Sequence, residues 1–95
     1  MNLAEYEKIK GNEFMKTKDF DQAIECYSRS IDLNPSLAAT FSNRALAYLN
    51  VRNNDAAIED SNAALKLQND FLRAYSRRGK AYLAKKEFEL AIADF

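Results

Sequence analysis

Two pairs of residues in this chain could serve one piece of chemistry. Lys8 and Asn12 are four positions apart, and so are Arg73 and Arg77, the spacing that brings two side chains to one face of a helix. Lysine and arginine donate hydrogen bonds and accept none, and the asparagine amide adds two donors. Donors that converge from several directions suit a carboxylate. A peptide ending in Asp offers two carboxylates close together, its side chain and its terminus. Each charge-assisted hydrogen bond contributes roughly 1.5–3 kcal/mol net, so a few of them support a micromolar complex at about −8 kcal/mol. Recognition of this kind is capture of a C-terminal carboxylate.

Catalytic chemistry has little to build on. The chain has no histidine and one cysteine, Cys26, which lacks a base and a second thiol and reads as a core residue beside Tyr27. Glu59 and Asp60 are neighbours on a helix and point in different directions. Tyr6, Tyr48, Tyr75 and Tyr82 read as packing residues, and no glycine-rich phosphate loop occurs. No catalytic residue, metal site or cofactor is expected, and the chain is not expected to be an enzyme by itself.

The donors need helices to place them, and the sequence supplies these in a repeat of 34 residues. Sliding the chain by that period aligns Gly11, Ala45 and Gly79; Phe14, Tyr48 and Tyr82; Ala23, Ala57 and Ala91; Ile24, Ile58 and Ile92. Small residues recur where helices approach, and large apolar ones where they interlock. A 34-residue period belongs to a helix–turn–helix unit that stacks on its neighbours because one hairpin cannot bury its own apolar face. Helices are expected over about 3–17, 20–33, 37–50, 55–67, 71–84 and from 88 onward. Tyr6, Ile9 and Phe14 should be the apolar teeth of the first, and Ala23, Ile24, Tyr27 and Ile31 a face of the second. Lys18 and Asp19 turn the chain, and Asn34-Pro35-Ser36 ends the second helix because proline disfavours helix at the residue before it. The fold class is therefore all-α: a right-handed superhelical stack of antiparallel hairpins, one domain over residues 1–95. Its repeats are 4–37, 38–71 and a truncated 72–95.

The second repeat breaks the pattern at Asn54, Ser61 and Asn69, where looser packing is expected. The last helix has about two turns, so the chain reads as part of a larger array with an open apolar edge that includes Ala91 and Ile92. That edge should fray or associate with another copy.

Composition agrees with this reading. Two Gly, one Pro and 47% hydrophobic residues leave little punctuation for a β fold. A single cysteine and the charged start MNLAEYEKIK point to a reducing, cytoplasmic setting. No apolar run reaches the roughly 20 residues that span a bilayer. Fourteen basic and 14 acidic residues balance, which argues against general nucleic-acid or polyanion binding. Locally the balance tips, since 71–86 holds Arg73, Arg77, Arg78, Lys80, Lys85 and Lys86 and no acid. Acids concentrate on the second helix of each hairpin: Asp21, Glu25, Asp32, Asp55, Glu59, Asp60, Glu89 and Asp94. A positive inner face and a negative outer one would steer an acidic tail inward.

The stretches EKIKGNEF (7–14), FSNRALAY (41–48) and RAYSRRG (73–79) resemble the carboxylate-clamp subset of tetratricopeptide repeat domains. These occur in co-chaperones such as the heat-shock organising protein, phosphatase and immunophilin co-chaperones, and the adaptor of the R2TP complex. The resemblance implies binding to the C-terminal tails of the seventy- and ninety-kilodalton heat-shock chaperones, which end in Glu-Glu-Val-Asp. It implies a clamp of Lys8, Asn12, Asn43, Arg73 and Arg77. Arg73 departs from the commoner lysine, keeping the charge and adding a planar fork. Met15, Leu46, Asn50 and Lys80 would form the groove periphery that meets upstream residues of the tail. Two other readings stay open: a generic scaffold for an unrelated partner, or an anion or nucleic-acid contact through the basic third repeat.

Overall fold

A computed structural model describes all 95 residues. Six helices follow one another: α1 (Leu3–Lys16), α2 (Phe20–Leu33), α3 (Ala38–Asn50), α4 (Asn54–Leu67), α5 (Leu72–Ala84) and α6 (Phe88–Asp94). They pair as three antiparallel hairpins stacked in a right-handed superhelix. The sequence reading places every helix to within a residue at each end. Leu37 and Phe71 prove to be extended N-cap residues, and Thr17 closes α1 from outside it. No helix is long and apolar enough to cross a membrane.

Each hairpin turns in the same way. The first helix of the pair ends in a left-handed residue, Lys18, Arg52 or Lys86, with φ of 62°, 63° and 62°. The next amide reaches back to a carbonyl five residues earlier: Asp19 to Phe14 at 2.9 Å, Asn53 to Tyr48 at 2.9 Å, Glu87 to Tyr82 at 2.8 Å. This pairing satisfies carbonyls that a helix end would otherwise leave free. Asn34 makes the return turn after α2, its Oδ1 accepting from the Ser36 amide at 3.0 Å, a local bond that short polar side chains make readily.

Helices within a hairpin meet through a small residue opposite an aromatic ring. A Cβ on Gly11 would stand 2.6 Å from Tyr27, and one on Gly79 would stand 2.7 Å from Phe95, so both positions exclude a side chain. The same register sets Ala45 against Ser61. Ser61 is fully buried and its hydroxyl donates to the Ala57 carbonyl at 2.8 Å. The looser packing expected in repeat two is therefore not found at this position, where a smaller partner is met by an added methyl. Ala45, Ala57 and Ala81 form one of the core clusters with Tyr48, Leu49 and Ile58 around it.

Two further expectations are corrected. Tyr6 and Ile9 are 51% and 40% exposed, and α1 buries Ala4 and Gly11 instead. The positions matching Tyr6 in later repeats, Thr40 and Ala74, are fully buried, because a preceding hairpin covers α3 and α5 but none covers α1. Ala91 is also fully buried, on the inner side of its hairpin like Ala23 and Ala57. The open edge consists instead of Phe88, Ile92 and Phe95, with Ile92 73% exposed.

Candidate peptide-binding groove

The site begins with a division among the cations. Arg44 grips Asp60 with two hydrogen bonds, 2.7 and 2.8 Å, and donates to Ser28 at 3.0 Å. Arg78 repeats this one hairpin later, with Asp94 at 2.8 and 2.6 Å and Asn62 at 2.9 Å. Each arginine thus bridges the second helices of consecutive repeats, in the bidentate geometry that suits a guanidinium. The carboxylates of Asp60 and Asp94 are almost wholly enclosed. Burial pushes the Asp60 carboxyl up while Arg44 pulls it down.

These pairs revise the charge map read from the sequence. Asp60 and Asp94 do not contribute to a negative outer face. Arg78 does not contribute to a positive inner one, and neither does Lys85, which contacts Asp55 at 2.6 Å and Glu87 at 3.5 Å. The bases of 71–86 left without an acidic partner are Arg73, Arg77, Lys80 and Lys86.

Of the five expected clamp residues, the structure joins two directly. Asn43 on α3 donates its Nδ2 to Asn12 Oδ1 on α1 at 3.0 Å. Asn12 Oδ1 also accepts from the Tyr27 hydroxyl at 2.5 Å. Tyr27 is 1% exposed, and its hydroxyl is pushed up to about 12, chiefly by burial, with the Arg77 cation acting the other way. Arg77 is thus near enough to the Tyr27 hydroxyl for its charge to be felt there. Arg77 is half-buried, and its Nε has no hydrogen-bond partner. Its affinity for its proton is lowered by burial first and then by the neighbouring Arg73 cation. An unpaired, partly desolvated guanidinium is costly unless an anion joins it.

The other two expected clamp residues, Lys8 and Arg73, are joined to this centre by no hydrogen bond. Lys8 is half-buried one turn before Asn12 and takes part in no ion pair. Arg73 is exposed, its guanidinium 5.0 Å from the Phe71 ring centre. Leu46, Asn50 and Lys80 line a cleft of about 580 Å³ with Leu49, Arg52, Asn54 and Ala84. Met15 does not line that cleft and packs on the Ala23, Tyr27 and Ala47 cluster, which includes the tyrosine bonded to Asn12. From the sequence Tyr27 reads as packing, and its bond to Asn12 is a finding of the structure. The available signal was its type: a buried tyrosine, unlike Phe95 at the matching position, needs a partner for its hydroxyl.

Residues 11–51 match the family described as TPR repeat, and residues 42–95 match the one described as tetratricopeptide repeat. The chain belongs to the tetratricopeptide repeat family. Human serine/threonine-protein phosphatase 5 is 47% identical over 49 residues, which is 52% of this chain and 10% of that protein. The chain thus spans about a tenth of the length of such curated relatives. Solved TPR domains follow it almost end to end. The first TPR of Spaghetti (RPAP3), bound to the HSP90 peptide SRMEEVD, superposes with a TM-score of 0.95 at 37% identity, covering 97% of this chain and 73% of that one. The TPR2B domain of yeast Sti1, in complex with an Hsp70 peptide, superposes at 0.93 and 33% identity, covering 96% and 73%.

Proposed function

We propose that this TPR domain is a co-chaperone adaptor module that binds the acidic Glu-Glu-Val-Asp tails of the seventy- and ninety-kilodalton heat-shock chaperones, holding the terminal carboxylates with Lys8, Asn12, Asn43, Arg73 and Arg77. The observation that carries this reading is Arg77. Its neighbour Arg78 is saturated by Asp94 and Asn62, whereas Arg77 keeps a buried, unpartnered Nε within the influence of a second free cation, Arg73. The similar domains of RPAP3 and Sti1 hold peptides of this class, which supports the same occupant here. The module acts by tethering, with no chemical step of its own.

Alanine at Arg73 or Arg77 is expected to cost about 1.5–3 kcal/mol of affinity for such a peptide, with helix content unchanged. Arg77→Ala should leave thermal stability equal or higher, since it removes an unpaired, partly buried charge. Asn43→Asp should weaken binding further than Asn43→Ala by setting a carboxylate against the ligand's own. Titration of the purified variants by anisotropy decides the matter: unchanged affinity in both arginine variants would remove the clamp.

A further inference from the structure

We propose that Tyr27 is a positioning residue of the groove: together with the Asn43 amide, its hydroxyl fixes Asn12 with the carbonyl oxygen held inward and the NH2 group toward the ligand. Asn12 then offers a ligand donors alone, which favours an anionic chain end over a neutral one. The inference rests on the clamp reading above and adds to it the device that orients the clamp.

An asparagine amide presents an acceptor on one side and two donors on the other, and turning it over exchanges them. Here Asn12 Oδ1 receives both the Tyr27 hydroxyl and the Asn43 Nδ2. Turning the amide over would set its NH2 group against that of Asn43, donor to donor. Neither N–H of Asn12 is taken by another protein group, so both remain for a ligand. Asn43 spends one donor on Asn12 and keeps the second.

The repeat itself shows that the hydroxyl is more than packing. The ring position beside Gly11 recurs beside Gly79, where Phe95 fills it without a hydroxyl. Ser61 stands at the same place in repeat two. Where a ring fills this place against glycine, the packing is met without an oxygen at Phe95, and the ring that carries a hydroxyl appears in the repeat whose first helix has asparagine at position 12; the matching residues are Leu46 and Lys80. The ring is 1% exposed and seated so closely on Gly11 that a Cβ there would stand 2.6 Å away, which pins the hydroxyl in space. A pinned donor is what orients a partner that could otherwise turn.

The test measures two peptides ending in Glu-Glu-Val-Asp, one with a free C-terminus and one amidated, against the wild-type chain and Tyr27→Phe. The wild type should prefer the free acid; no preference there would sink the clamp reading itself. Given that preference, Tyr27→Phe should lower free-acid affinity by about five- to twentyfold while moving the amide by less than about twofold, so that the preference shrinks. Equal losses for both peptides, or no loss, would overturn the role assigned to Tyr27. Should the variant fail to fold, the side-chain amide signals of Asn12 in the ¹⁵N-labelled wild-type chain give the second reading. Both N–H signals are expected to shift with the free-acid peptide, and signals that stay in place would overturn the inference.

Discussion

Arg77 and Arg78 are adjacent in sequence, yet about 100° apart around α5, and that angle separates an unpartnered guanidinium from one locked into the fold. Arg78 turns to Asp94 on α6 and Asn62 on α4, while Arg77 keeps a buried Nε without a partner. From the sequence both read as groove charge. The partnership was legible in principle, since Arg44 with Asp60 and Arg78 with Asp94 share one 16-residue spacing that the repeat carries forward. What could not be read was the third dimension at Tyr27, whose hydroxyl crosses from α2 to the first helix of the groove. Its proton makes a pH prediction. The hydroxyl is raised to about 12 in the fold from about 10 in an unfolded chain, so the unfolded state loses its proton first as pH climbs. The stabilisation is complete below about pH 10 and disappears by about pH 12, a change of roughly 2–3 kcal/mol. Denaturant melts across that range should show a steeper loss in the wild type than in Tyr27→Phe. Parallel curves would mean that the hydroxyl is not held as described.

At the level of helices and turns, punctuation made the sequence readable. Asn34-Pro35-Ser36 and Lys18-Asp19 mark ends that local chemistry enforces whatever surrounds them. Exposure was less readable: Tyr6 and Ile9 have the right type and spacing for a core, but no hairpin of this chain covers that side of α1. Ala91 shows the converse, a residue assigned to the open edge that the hairpin's own register buries. The turns also carry strain. Lys18, with φ of 62°, occupies a region that costs a residue with a Cβ about 1–2 kcal/mol, part of which glycine gives back through the greater entropy of its unfolded chain. Lys18→Gly is therefore expected to raise stability by about 0.5–1 kcal/mol, read as a higher melting temperature. A lower one would show that the lysine side chain contributes more than the turn costs.

Across the whole molecule, the stack presents an unpaired set of donors on its first helices and an exposed apolar edge at α6. Ile24 and Ile58 are partly sheltered in the stack, but Ile92 is 73% exposed beside Phe88 and Phe95. Sedimentation is expected to show concentration-dependent association of this chain, relieved by Ile92→Glu; a monomer at every concentration would mark the edge as inert. Net charge is zero, so the proposed capture of an acidic tail rests on the arrangement of charges rather than their sum. Lys8, Arg73 and Arg77 stay free while Arg44, Arg78 and Lys85 are neutralised within the fold. The decisive measurement is the affinity of the unmodified chain for a peptide ending in Glu-Glu-Val-Asp, set against the same peptide amidated at its C-terminus. A clamp built from converging donors predicts a preference for the free acid of tenfold or more, corresponding to at least about 1.4 kcal/mol. Equal affinity for the two would contradict it.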